Sequence, residues 1–259
     1  CAAITFQRVF SGCVDAKGER AGEEVQHTAQ WIMMLLESWP HLLPDCRSRF
    51  IPLLKHEKEG INAIALRFVR ASPAAEDKKV VKKIVKECVR LAQSPNREIV
   101  KHAIFAIKHE LDDPQEAKHE LENVLQRAVD GLKDTSTLPS ALQAIACTAQ
   151  CSPAIFSAKE SEIVPYVVND VLRRTTSSSE SPTWESPSIE CRNKVLGIKA
   201  LARAYDASGF PEARIQGLLR LLSKIIPHGD VPNQRGVVPD TDDEQVLLAY
   251  AYCPTVTQF

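Results

Sequence analysis

Two histidines are the residues of this sequence whose spacing comes nearest to a chemical site. His102 and His109 are seven positions apart, which places them on one face of a helix, and Glu110 follows directly. Imidazole and carboxylate both bind zinc, but a zinc site needs a third and a fourth ligand from elsewhere, and the sequence offers no obvious candidates. We therefore expect no metal site here and no cofactor.

The remaining chemical patterns are also weak. Acidic residues gather at 240–244, but without the spacing of a calcium loop, and acidic residues are ordinary at the start of a helix. There is no phosphate-binding glycine loop, no Gly-x-Ser-x-Gly elbow and no His-Glu-x-x-His. The eight cysteines are scattered without a Cys-x-x-Cys pair, which indicates reduced thiols. The sequence thus predicts a protein of a reducing compartment that is not an enzyme.

The strongest local charge pattern is a set of five lysines that alternate with apolar residues at helical spacing. They are Lys78, Lys79, Lys82, Lys83 and Lys86. The spacing places them together on the solvent face of one helix, which is the simplest interpretation. The alternative is a basic patch that contacts phosphate, extended by Arg97, Lys101 and His102 at the start of the next helix. Since the net charge of the chain is −1, any attraction to nucleic acid must be local.

The elements that would position these residues are amphipathic helices in pairs, separated by proline-containing turns. The predicted pairs are 24–38 with 47–55, 58–70 with 77–92, 95–110 with 114–133, 139–150 with 162–174, and 189–205 with 211–226. Successive first helices start roughly 40 residues apart once the loop after Arg174 is discounted, which is the period of HEAT repeats. Few glycines and 6% aromatic residues do not suit a sandwich or a barrel. The sequence predicts an all-α, HEAT/armadillo-type superhelix, a right-handed solenoid of about five helical hairpins.

The stretch 137–163 shows the hairpin pattern most clearly. Its apolar residues predict one buried stripe on the first helix: Leu138, Leu142, Ile145, Ala146 and Ala149. Ser152 and Pro153 form a short turn, here called the knuckle. Ser161 and Glu162 then predict the opening of the second helix.

Composition divides the chain into three parts. We expect a poorly ordered edge at 1–23, the solenoid at 24–228, and an irregular or truncated tail at 229–259. The serine-rich run at 175–187 predicts a disordered surface loop. Trp184 within it either fastens the loop to the body, which is the simpler interpretation, or binds a partner. No apolar run is long enough for a membrane span and no signal peptide is evident, so we expect no membrane association. A start at Cys1 suggests a piece of a longer chain.

Several segments resemble one known family. LPSALQAIACTAQCSPAIFSAKESEI at 138–163 and WESPSIECRNKVLGIKALARAY at 184–205 resemble consecutive HEAT units of the sister-chromatid cohesion proteins called precocious dissociation of sisters, in their plant-type form. LKHEKEGINAIALRFVRA and REIVKHAIFAIKHELDD, which lie upstream, are more loosely similar. The resemblance extends over about residues 30 to 230.

This resemblance implies a non-enzymatic scaffold of the cohesin ring, located on chromatin in the nucleus, that regulates sister-chromatid cohesion. The partners that it implies are the cohesin kleisin subunit, the Wings-apart-like releasing factor and the cohesin acetyltransferase. Direct contact with DNA is left open.

The resemblance also implies a peptide-binding site at the knuckle. Animal members of the family carry Ala-Pro-Asp-x-Phe there, which receives a short peptide from the releasing factor or its antagonist. Here the segment 152–156 keeps Pro153 and Phe156, while Ala154 replaces the acidic residue. Pro153 and Phe156 are therefore the candidate partner-peptide residues. The alternative is that they form only a turn and its anchor in the core.

Two other functions fit a helical repeat. One is a generic HEAT adaptor, such as a transport receptor or a phosphatase scaffold, although the serine-rich gap at 175–187 is unusual for such regular repeats. The other is a HEAT-type DNA glycosylase, which needs a carboxylate among aromatic residues in a basic groove. No such cluster stands out in the sequence.

Overall fold

A computed structural model describes Met34, Ser38 and residues 50–74, 77–111, 113–172 and 189–207. Within these ranges every regular element is helical and no residue lies in a strand. The elements are α1 (Phe50–Leu54), α2 (Glu59–Ala71), α3 (Lys78–Leu91), α4 (Arg97–Glu110), α5 (Pro114–Gly131), α6 (Leu138–Cys151), α7 (Pro153–Tyr166), a π-helical segment (Val167–Leu172) and α8 (Ile189–Ala207). The prediction of an all-α fold is confirmed for these residues.

The chain forms two compact units, Cys1–Val124 and Leu125–Phe259. In the first unit, α2 and α4 pack side by side and run in the same direction. At their starts, the Asn96 side chain donates a hydrogen bond to Glu59 Oε2 at 3.0 Å. Toward their ends, His109 Nε2 lies 2.8 Å from the carbonyl oxygen of Ser72. Because α3 connects the two helices and also packs against α4, this is the arrangement of stacked helical hairpins.

The second unit repeats the pattern with α6 and α8, which pack together. Tyr205 near the end of α8 contacts Phe156 and Glu160 in the first half of α7. Since α7 begins directly after α6 ends, the end of α8 lies near the end of α6, and these two helices also run in the same direction. The π-helical segment packs against the middle of α8.

Helix α6 is more deeply buried than its sequence predicts. Of its 14 residues, all but Pro139, Gln150 and Cys151 are buried. The five predicted stripe residues are all in the core, but the opposite faces of the helix are buried as well. Alanines alternate with the larger side chains, so neighbouring helices can approach α6 from several sides.

The start of α7 corrects the sequence prediction. The helix begins at Pro153, in the knuckle itself, and not at Glu162. Proline suits the first helical position because its missing N–H is not needed there, and the first turn buries Ile155 and Phe156. Pro165 lies inside the helix, where it cannot donate the usual hydrogen bond, and the chain changes to π-helical geometry two residues later.

Polar side chains fix several helix ends. The carboxylate of Asp77 accepts from the backbone N–H of Lys79 at the start of α3, and Asn96 does the same for Glu98 at the start of α4. The buried amide of Asn62 donates to the carbonyl oxygens of Leu53, Leu54 and His56. Asn62 thereby satisfies acceptors that the end of α1 leaves open.

Some predictions fall outside the described residues. These are the helix at 211–226, the loop at 175–187 with Trp184, and the two termini. Of the predicted helix at 24–38 only Met34 and Ser38 are described, and both are helical and exposed. None of the helices that the structure describes combines the length and apolarity needed to cross a membrane.

Candidate partner-binding surfaces

The knuckle between α6 and α7 turns the chain within a single residue. Ser152 is extended, with φ of −151° and ψ of 92°. Its N–H donates to the carbonyl oxygen of Thr148 at 2.8 Å, and its carbonyl oxygen accepts from Ile155 at 3.1 Å. These two bonds end one helix and start the next. Ser152 and Pro153 of the knuckle are half-buried, and Ala154, which follows it, is exposed.

The structure places Phe156 in the core and not at the surface of the knuckle. Its side chain is 0% exposed. Its ring meets the ring of Tyr205 edge-on, with centroids 5.8 Å apart and planes at 85°. Pro153 and Phe156 thus lie in the same helical turn, but only Pro153 reaches solvent. This arrangement is the anchored turn that the sequence allowed as an alternative, and peptide binding at the knuckle stays a prediction.

The lysine ridge is the second candidate surface, defined as the five lysines of α3: Lys78, Lys79, Lys82, Lys83 and Lys86. All five are exposed. The apolar residues between them point to the core, where Ile84 and Val85 are buried. The structure therefore brings the predicted basic residues together on one outer face.

The proposed extension of this ridge into α4 is less basic than the sequence suggests. Arg97 is exposed, but Lys101 Nζ lies 3.5 Å from Glu98 Oε2, so its charge is partly balanced. The imidazole of His102 is half-buried, and burial lowers its pKa below the ordinary value of 6.5. The nearby charges of Arg70, Arg67 and Lys101 lower this pKa further, and Glu98 opposes them.

His102 takes part in a contact between α2 and α4. Its Nδ1 lies 2.9 Å from Nη1 of Arg70. Because a guanidinium can only donate, His102 Nδ1 is the acceptor and the imidazole is neutral in this bond. The same guanidinium lies over the ring of Phe105, 5.0 Å from its centroid, in a cation–π contact.

The two histidines of α4 do not form a shared site. The His102 side chain forms a hydrogen bond with Arg70, while the His109 side chain contacts the backbone of Ser72. Among the residues that the structure describes, no three His, Cys, Asp or Glu side chains come together as metal ligands. Cys88 and Cys147 are buried in the core, and Cys151 is half-buried.

Sequence reasoning missed the ionic contacts at the far end of α3. Glu87 is only 7% exposed, and its carboxylate lies 2.9 Å from Arg90 Nε and 3.7 Å from Lys55 Nζ. Arg90 also donates to the carbonyl oxygen of Leu54. The signal available in the sequence was an acidic residue beside Cys88 on the apolar stripe, three positions before an arginine.

Comparison with known proteins identifies one family whose model matches this chain. The model of the family described as sister chromatid cohesion protein PDS5 matches residues 7–253. Sister chromatid cohesion protein PDS5 homolog A of Arabidopsis thaliana is 29% identical over 148 residues, which cover 55% of this chain. The match covers only 9% of that relative, so the chain spans a small part of its length.

Solved structures that are similar to this chain include two engineered or designed proteins. An engineered protein is 16% identical with a TM-score of 0.44, and the match covers 97% of this chain and 96% of that one. A designed armadillo repeat protein in complex with the peptide (KR)4 is 16% identical with a TM-score of 0.41, covering 93% of this chain and 98% of that one.

Proposed function

Since the chain belongs to the PDS5 family of sister chromatid cohesion proteins, we propose that it is part of a non-catalytic, cohesin-associated scaffold that regulates cohesion. The observation that carries this proposal is the family match over residues 7–253. Such a scaffold acts on chromatin in the nucleus. Its helical hairpins serve as a surface for other polypeptides.

The partners in this proposal are the kleisin subunit of cohesin, the Wings-apart-like releasing factor and the cohesin acetyltransferase. Helical repeats hold extended segments in grooves between neighbouring helices, through apolar anchors and backbone hydrogen bonds. The parallel packing of α2 with α4, and of α6 with α8, provides pairs of neighbouring helices of this kind within each unit.

The knuckle is the proposed place where the releasing factor docks. Pro153 and Ala154 form its accessible surface, and Phe156 holds that surface in place from below through its contact with Tyr205. In this arrangement Phe156 is a positioning residue. The peptide itself would contact Pro153 and the exposed side of the first turn of α7.

A surface substitution tests the knuckle without disturbing the core. Ala154→Arg adds bulk and charge beside Pro153, whereas Ser161→Arg adds the same side chain at an exposed position later in α7. In capture experiments with the full-length protein, we expect Ala154→Arg to reduce recovery of the releasing factor at least tenfold and to leave recovery of kleisin unchanged. Ser161→Arg should affect neither. Equal recovery of the releasing factor by both variants would eliminate the knuckle site.

The regulatory role has a cellular test. Cells depleted of the full-length protein should show sister chromatids that separate early or lie further apart, and a depletion-resistant copy should restore normal distances. Normal cohesion in cells shown to lack the protein would contradict the proposal.

A further inference from the structure

The lysine ridge is an unbalanced concentration of positive charge. From Lys78 to Lys86 it follows α3 for eight residue steps, or about 12 Å at 1.5 Å per residue. No ion pair in the described part of the chain includes any of its five lysines. Among the described residues, none supplies these amino groups with an acidic partner.

Two of the acidic residues next to the ridge lie in the described part of the chain, and both make contacts within it. The carboxylate of Asp77 caps the start of α3 by accepting from Lys79 N–H at 2.8 Å. Glu87, the only acidic residue within α3, is buried and paired with Arg90 and Lys55. The Glu87 carboxylate is therefore directed away from the ridge, and the single charge of Asp77 stands beside the first two of its five lysines.

Three other lysines of the described helices have an acidic partner one helical turn away. The pairs are Lys101 with Glu98, Lys118 with Glu122, and Lys159 with Glu162. The helix faces that carry these pairs mix both signs of charge. The ridge does not follow that pattern.

The arrangement lowers the stability of the helix that carries it. Lys78 with Lys82, Lys79 with Lys83, and Lys82 with Lys86 are like charges four positions apart, and such pairs destabilise a helix. The first turn of α3 has no acidic residue, so its lysines also face the positive end of the helix dipole. A polyanion lying along the ridge would relieve both effects.

The chemistry of the ridge favours the backbone of duplex DNA over an acidic peptide. Peptide docking depends on apolar or aromatic anchors in pockets, and the apolar side chains next to these lysines point inward: Val80 and Val81 are half-buried, and Ile84 is buried. Lysine ammonium groups are point charges that bind phosphate without reading sequence. A duplex presents one charge per about 1.7 Å of its axis, which suits a straight row of cations.

We propose that the lysine ridge of α3 binds the phosphate backbone of duplex DNA without sequence specificity. This inference goes beyond the proposed function, because a cohesin-associated scaffold can act through protein partners alone. The ridge would add a direct contact between the scaffold and the DNA that cohesin encircles. The two proposals are tested separately, because the chain can capture cohesin without binding DNA through the ridge, and can bind DNA through the ridge without capturing cohesin.

The test compares two triple variants of the full chain with equal changes in charge. Lys79→Gln, Lys82→Gln and Lys86→Gln remove ridge lysines, whereas Lys101→Gln, Lys118→Gln and Lys159→Gln remove lysines that have acidic partners. Glutamine and lysine have similar helix propensities, so both variants should fold, which circular dichroism verifies. Binding to a fluorescent mixed-sequence duplex is measured by anisotropy over a range of salt concentrations.

We expect the ridge variant to lose at least about tenfold in affinity at low salt, and the slope of log affinity against log salt to decrease by about 1 per lysine. The control variant should keep the slope and affinity of the unmodified chain. Equal binding by the two variants overturns the proposal. Binding of poly-glutamate that depends on the ridge, with no binding of the duplex, also overturns it and identifies an acidic polypeptide as the ligand.

Discussion

The Tyr205 ring contacts the edge of Phe156, and the Tyr205 hydroxyl donates to Glu160 Oε1 at 3.0 Å. One side chain near the end of α8 thus fixes two successive turns of α7. The ring contact secures the first turn of α7, and with it the knuckle. The shape of the candidate peptide surface therefore depends on a helix that comes much later in the sequence.

Truncation of Phe156 should unfold this part of the molecule. We expect Phe156→Ala to lower the free energy of unfolding by about 3–5 kcal/mol, because it removes a fully buried ring and leaves a cavity. Phe156→Leu retains most of the volume and should cost less than about 1.5 kcal/mol. Urea unfolding followed by circular dichroism measures both. Similar small losses for the two variants would mean that the ring is not part of a packed core.

Gly197 allows α8 to approach the π-helical segment. A Cβ atom at this position would lie 3.1 Å from Cγ1 of Val167, which is fully buried and would have to shift within the core. Overpacking by Gly197→Ala should therefore lower the free energy of unfolding by about 1–3 kcal/mol. The higher helix propensity of alanine offsets up to about 1 kcal/mol of this loss.

Gly60 is the matched control for this substitution, since a Cβ there meets nothing within 4 Å. Gly60→Ala should stabilise the chain by about 0.4–1 kcal/mol by restricting the unfolded state. Thermal unfolding midpoints that shift in opposite directions would support the close approach. Stabilisation by Gly197→Ala would contradict it.

The buried amide of Asn62 should be important for the α1–α2 connection. Its Nδ2 lies 2.9 Å from the Leu53 carbonyl oxygen and 3.0 Å from that of His56. Asn62→Ala leaves these acceptors without their donor, so we expect a loss of about 1–3 kcal/mol in urea unfolding. Asn123→Ala, at an exposed position of α5, should change stability by less than about 0.5 kcal/mol. An equal effect of both substitutions would contradict the capping role.

The lowered pKa of His102 predicts a pH-dependent stability. The unfolded chain binds a proton near pH 6.5, whereas burial and Arg70 delay protonation of the folded chain to lower pH. The free energy of unfolding should therefore decrease as the pH falls from about 6.5 through the folded pKa, and this contribution is fully present above 6.5.

His102→Gln should remove that part of the pH dependence. Urea midpoints measured between about pH 8 and pH 5 for both proteins provide the comparison. If the variant and the unmodified chain have parallel profiles, the lowered pKa of His102 does not contribute to stability.

Local patterns predicted much of the fold. The starts of α3 and α4 were correct within two residues, because Asp77 and Asn96 cap helices whose apolar period is strong. The start of α7 was missed because Ser161 and Glu162 look like a helix opening, although the buried first turn at Ile155 and Phe156 decides the boundary. A capping signal is local, and burial overrode it here.

The candidate surfaces were predicted unequally. The lysine ridge follows from helical spacing alone, so the sequence was sufficient to place its residues on one face. The burial of Phe156 depends on its contact with Tyr205. The Glu87 carboxylate does not pair with the ridge lysines because it binds Lys55 and Arg90 instead. Contacts between distant segments require the packed structure, and no periodicity in one helix reveals them.

The most direct measurement is quantitative capture of cohesin from nuclear extract by the full-length protein that contains this chain. The account predicts that the kleisin subunit is recovered with it, well above the level for an unrelated helical-repeat protein. Recovery of transport or phosphatase subunits without kleisin, from a bait shown to be folded, would contradict the account.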